Sequence, residues 1–130
     1  MLNLNSLIVF SPKPANLVEF YSEVFETEPS WTNGDFSGFR VGDGFMTIGK
    51  HSKVLTNAKE PERIMLNFES SDVMSDFERI KKLGATVIAK PYKPKEMEDG
   101  LIATFADPDG NYFQLMAPWE NNNSNLKEDI

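Results

Sequence analysis

One histidine, no cysteine and thinly spread carboxylates leave this chain few routes to bond-making chemistry. His51 sits between Lys50 and Lys53. An imidazole there offers acid, base or ligand work. With no carboxylate placed beside it, a solvated residue opening a linker is the better reading. Asp107-Pro108-Asp109-Gly110 sets two carboxylates two residues apart, but Asp in such a turn bonds its own backbone. Glu96, Glu98 and Asp99 form an acidic run. It reads as a solvated loop, with a lid over a ligand as the alternative. Absence of cysteine excludes disulfides and thiolate nucleophiles or ligands. No Ser-His-Asp order, P-loop or dinucleotide fingerprint is present. What remains is binding chemistry. Trp31, Phe39, Phe105 and Trp119 offer aromatic surface at the border of an opening, and either Trp could instead be buried at a subunit contact. Arg40 is a lone cation on a strand, either a solvated edge charge or a partner for an anionic ligand.

The elements that carry these residues come in two similar sets. Leu4 to Phe10 reads as a strand. Pro14 suits the first turn of a helix, where no amide donor is missed. Leu17, Phe20, Tyr21, Val24 and Phe25 then form one wide apolar face. Trp31 follows in a loop. Strand-like pieces at Phe36 to Val41 and Phe45 to Gly49 flank Gly42-Asp43-Gly44, a hairpin signal. The second set repeats this order. Arg63 to Glu69 reads as a strand, and Ser71 or Asp72 can cap a helix bearing Val73, Phe77 and Ile80. Lys81, Lys82 and Gly84 end that helix. Thr86 to Ala89, Leu101 to Ala106 and Asn111 to Met116 are strand-like, the last two around the 107–110 turn. Lys50 to Glu62 reads as a linker, Lys90 to Asp99 as a charged loop, and the Asn-rich residues 119–130 as a disordered polar tail. The repeat describes one pseudo-twofold domain over residues 1–118, with modules at about 4–50 and 63–118. From pattern alone, a ferredoxin-like βαββαβ domain is the alternative.

The 130 residues carry 13 basic and 20 acidic side chains, a net charge of −7, and ten Phe. This size fits one domain with a real core. The acidic balance argues against a nucleic-acid partner, which needs a basic surface. No apolar run approaches the roughly 20 residues of a membrane span. Met1-Leu2-Asn3-Leu4-Asn5 does not read as a signal peptide. A cytoplasmic protein handling a small molecule is the expectation.

Phe20-Tyr21 with Val24-Phe25, Phe68, Asp72-Val73, Leu83-Gly84-Ala85 and the stretch Phe105-Ala106-Asp107-Pro108-Asp109-Gly110-Asn111 resemble the vicinal oxygen chelate superfamily over residues 4–117. That superfamily contains glyoxalases, bleomycin-resistance proteins, extradiol dioxygenases and fosfomycin-resistance enzymes. The resemblance implies an α+β fold of two βαβββ modules, whose strands form a curled mixed sheet around a cavity, and pairing as a homodimer. It also implies four metal-ligand positions, which fall here on Ser6, Ile48, Met65 and Gln114. Ile cannot ligate, the Met thioether is soft, and Ser and Gln are weak neutral donors. No cofactor is therefore expected, a divalent metal ion being the alternative.

Strand alternation puts Leu7, Val9, Leu66, Phe68, Phe113 and Leu115 on one face, under the helices. Ser6, Ile8, Phe10, Met46, Ile48, Met65, Asn67, Tyr112, Gln114 and Met116 fall on the other. By pattern alone such a stripe is plain core. By resemblance it lines the concave face, mostly apolar with a few polar handles, as small-molecule pockets are. The expected function is metal-independent binding or sequestration of a small apolar or aromatic molecule, oriented by Gln114, Tyr112 and Asn67. A divalent-metal-dependent lyase, isomerase or dioxygenase of the glyoxalase type is the alternative. A non-catalytic interaction module whose cavity is filled by its own side chains is the third reading.

Overall fold

The structure, a computed structural model, describes residues 1–96 and 100–119. The chain divides into two compact units, Met1–Glu60 with Asp107–Asn111, and Pro61–Ala106 with the residues from Tyr112 on. In the first unit β1 (Leu7–Phe10) leads to α1 (Pro14–Phe25), then β2 (Trp31–Asn33), β3 (Phe36–Val41) and β4 (Gly44–Gly49). The second unit follows the same plan with β5 (Leu66–Glu69), α2 (Val73–Lys82), β6 (Thr86–Tyr92), β7 (Ile102–Ala106) and β8 (Tyr112–Met116). The sheet orders correspond: β1-β4-β3-β2 and β5-β8-β7-β6. In each, the first strand pairs in parallel with the last, and the remaining pairs are antiparallel. This is the expected α+β fold of two βαβββ modules.

Helix α1 starts at Pro14 and buries Leu17, Tyr21 and Val24, spaced i, i+4, i+7. Its Phe25 ring meets Phe39 of β3 edge-on at 5.4 Å, so the face carrying Phe39 is the covered face of this sheet. Helix α2 is capped by Asp72, whose Oδ1 accepts from the Ser75 amide at 3.0 Å. Arg79, Lys81 and Lys82 occupy its last turn, where cations oppose the helix dipole. It buries Val73, Phe77 and Ile80, and Phe77 stacks on Phe105, which stacks on Phe113. Among the described residues no helix is long and apolar enough to cross a membrane.

Several boundaries differ from the sequence reading. Strands β1 and β5 begin at Leu7 and Leu66, later than Leu4 and Arg63, because only the later residues find a parallel partner. Trp31 opens strand β2 instead of lying in a loop, paired with Gly38. Strand β6 continues through Lys90, Pro91 and Tyr92, a stretch read as loop. It is the edge strand of its sheet and its register shifts between Ala89 and Tyr92, which is where a strand tolerates proline. Glu98 and Asp99 of the acidic run and the tail from Glu120 lie outside the described residues.

Candidate functional site

The register of the first sheet decides which residues share its open face. Leu7 pairs with Met46, Ile8 with Thr47 and Val9 with Ile48. Partners across a parallel pair project to one side. Met46 therefore shares a face with Leu7, Ile48 with Val9, and both lie on the side of Phe39. Met46 and Ile48 are buried, and the expectation that they join Ile8 and Phe10 on an open face is corrected. The cause is a one-residue slip. Aligning the two hairpins through Gly44 and Gly110 puts Ile48 level with Gln114, but Gly44 is already the first residue of β4, paired with Val41 across a two-residue turn, whereas Gly110, at φ 81°, belongs to the longer 107–111 turn between Ala106 and Tyr112. Thr47, facing Ile8, is the counterpart of Gln114, facing Asn67.

The opposite face is built from aromatic rings laid over glycines. Trp31, Gly38, Thr47 and Ile8 form one row across the four strands. A Cβ at Gly38 would collide with the Trp31 indole and the tip of Phe45, and one at Gly49 would collide with the Phe36 ring. These rings thus occupy the space that side chains at 38 and 49 would fill. Phe10 meets Phe36 edge-on at 6.4 Å and His51 at 5.1 Å. The Arg40 guanidinium lies 5.6 Å from the centre of the Phe45 ring, within cation–π range. Ile8 is 47% and Trp31 42% exposed. Arg40 is exposed and pairs with Phe45 of β4; β2 runs beside only Phe36, Ser37 and Gly38, so Arg40 stands where β3 has no strand on its other side. Phe39 and Phe105 are fully buried on the helix-covered faces and border no opening. The signal that could have found this face is the pair of glycines within strands, which mark close approach of another group.

In the second unit the register gathers four residues on one side of the sheet. Asn67 pairs with Gln114 and Gln114 with Thr104, while Tyr112 and Met116 fall on the same side. The Gln114 amide donates to Thr104 Oγ1 at 3.0 Å. Asn67 is exposed, Tyr112 and Gln114 are half-buried, and Met116 is buried. Ser6 and Met65 lie just before β1 and β5.

These placements allow a test of metal fit. With the register corrected, the positions at which the family resemblance implies ligands hold Ser6 and Thr47 in the first unit, Met65 and Gln114 in the second. Neither pair, two hydroxyls in the first unit or a thioether and an amide in the second, supplies the carboxylate oxygens or imidazoles that a divalent ion takes. Among the described residues no group of three or more His, Cys, Asp or Glu side chains could hold a metal ion. His51 is engaged in its own turn, its Nδ1 accepting the Lys53 amide at 3.0 Å.

The 107–111 turn is the most heavily bonded polar feature of the first unit. Asp107 Oδ1 accepts from the amides of Asp109 and Asn111, at 2.9 and 3.0 Å. Its Oδ2 accepts from the Tyr21 hydroxyl at 2.7 Å and from the Asn111 side chain at 3.0 Å. Burial pushes the Asp107 carboxyl above its ordinary range even though these donors pull it down. Burial, and then the charge of Asp107, hold the Tyr21 phenol well above its ordinary value. The linker closes on the same turn, Ala58 donating to the Asp109 carbonyl at 2.9 Å. A cavity of about 320 Å³ lies there, walled by Phe10, Pro12, residues 53–59, Asp109 and Asn111. Asp109 Oδ2 is buried and has no hydrogen-bond partner among the described residues.

Comparison with known proteins gives this arrangement a family. A search of curated protein sequences finds no match. Among solved structures, the chain is similar to the fosfomycin resistance protein FosX of Listeria monocytogenes complexed with manganese(II) and sulfate, 20% identical, covering 97% of this chain and 98% of that one at a TM-score of 0.76. It is similar to a glyoxalase/bleomycin resistance protein/dioxygenase family enzyme of Burkholderia phytofirmans PsJN, 21% identical over 86% and 96%, TM-score 0.70. A glyoxalase/bleomycin resistance protein of Albidiferax ferrireducens T118 is 16% identical over 88% and 98%, TM-score 0.69. At these identities the likeness is one of fold. The model of the glyoxalase-like domain matches residues 6–116, and the chain belongs to that family, within the vicinal oxygen chelate superfamily.

Proposed function

We propose that this protein binds a small apolar or aromatic molecule without a resident metal, holding the ligand instead of converting it. The observation that carries this reading is the open face of the first sheet, where Trp31, Ile8, Phe45 and Phe36 present apolar surface on the side away from α1. Burial of that surface against a ligand supplies the affinity, at roughly 25 cal/mol per Å² before ordering costs. The donor set supports the metal-free part. The Listeria monocytogenes protein is described with manganese(II), but Ser6, Thr47, Met65 and Gln114 offer this chain no equivalent donors.

Thermal unfolding in the presence of aromatic and drug-like compounds tests the reading. A ligand at a hundredfold excess over its Kd adds about 2.7 kcal/mol, and in a domain of this size raises the Tm by roughly 10 °C. The expected result is such a rise with at least one aromatic compound, unchanged by EDTA. Stabilisation by divalent ions alone, removed by EDTA, would overturn the proposal in favour of the metalloenzyme reading.

A further inference from the structure

The ligand class can be narrowed, on the footing of the binding reading above. We propose that the open face of the first sheet takes a planar aromatic anion, an aryl carboxylate or phenolate, with its ring against Trp31 and Phe45 and its charge on Arg40. The geometry selects a flat ligand first. Gly38, within β3, and Gly49, the last residue of β4, stand at positions where any side chain would displace Trp31 or Phe36. The surface they create is made of ring faces and edges beside the small side chain of Thr47. Aromatic surfaces favour another ring through offset or edge-on packing, beyond simple burial of area.

The sign of the ligand's charge follows from Arg40. Arg40 shares the open face with Phe45, its partner across β3 and β4, and lies beyond the end of β2. Arg40 is exposed, and forms no ion pair among the described residues. Its one recorded partner is the Phe45 ring, which leaves the guanidinium edge free for a carboxylate, its preferred planar partner. Asp35 and Asp43 lie in the turns that flank β3. The chain is acidic overall, with a net charge of −7. Attraction for an anion therefore rests on this one cation, which makes it testable by a single substitution.

The experiment uses the full chain and three probes: 2-naphthoate, the neutral 2-naphthamide, and cyclohexanecarboxylate, which keeps the charge and lacks the ring. Calorimetric titration gives each Kd, and ¹H–¹⁵N spectra follow the indole N–H of Trp31, assigned against a Trp119→Phe variant. The expected result is binding of 2-naphthoate about tenfold tighter than either of the other two, with the Trp31 indole signal shifting on saturation. Arg40→Gln should bring naphthoate and naphthamide to equal affinity while naphthamide binding persists. Equal affinity for the two in the unsubstituted protein would overturn the anion inference and leave the binding reading standing. Failure of all three probes would overturn the inference, and the binding reading falls with it only if the thermal screen above also shows no rise with any compound. A Trp31 signal that responds to protein concentration but to no probe would overturn the inference in favour of a second copy of the chain covering this face.

Discussion

The hydroxyl of Tyr21 donates to Asp107 from a position with no solvent exposure. Eighty-six residues separate the pair, and each member reads correctly by itself in the sequence: Tyr21 as part of an apolar helix face, Asp107 as a turn residue. Their meeting is not legible, because nothing local to either residue reports a long-range partner. Removing the hydroxyl leaves a buried carboxylate oxygen short of a donor. Tyr21→Phe should therefore cost about 2 kcal/mol of stability in urea unfolding. The same pair sets an alkaline limit. A folded-state value raised above the ordinary 10.0 means that the contribution of Tyr21 is whole below that pH. It is lost as pH rises through the higher folded value. Spectrophotometric titration should show one of the three tyrosines ionising only as the chain unfolds. Reversible ionisation of all three in the folded protein would contradict this.

Helix α2 was legible to its ends: Asp72 caps it, and Gly84, at φ 94°, follows its stop. Helix α1 carries no such stop signal, and the residue that closes it, Glu26, sits in the left-handed region at φ 56°. An L side chain is disfavoured there and glycine is not. Glu26→Gly should stabilise the protein by about 0.5–1 kcal/mol, read as a higher urea midpoint with unchanged slope. Lower stability would show that the Glu26 side chain contributes more than its backbone costs. The strands teach a different lesson. In β1, β5 and β8 the alternating residues fall on the faces that the pairing gives them, because moving a strand's start does not change which residues alternate. For β4 the face depends on how its hairpin aligns with the 107–111 turn, which is longer, and a slip of one residue turns a whole strand over. Pairing with β1, which puts Leu7 beside Met46, resolved what the local pattern left ambiguous. Trp31 was missed as a strand residue for a similar reason: β2 is only three residues long, too short for a period to show.

The repeated strand–helix–hairpin order made the fold readable along the whole chain, because two copies of a weak pattern constrain each other. Function was less readable. Its strongest indicator was negative, a set of side chains unsuited to a divalent ion. Thr47 in place of Ile48 adds only a neutral, weak donor to that set. The aromatic face, by contrast, depends on which residues stand opposite Gly38 and Gly49 across the strands, and on Arg40 sharing a side with Phe45. Register supplies that information and residue spacing does not. The account as a whole stands on ligand binding without a resident metal. Its most direct test is the metal content of purified, untagged protein after incubation with excess manganese, iron(II), nickel and zinc, followed by desalting. Metal should be substoichiometric, about a tenth of an ion per chain or less. One tightly held ion per chain would contradict it, and would mean that the chain assembles a ligand set from residues other than Ser6, Thr47, Met65 and Gln114.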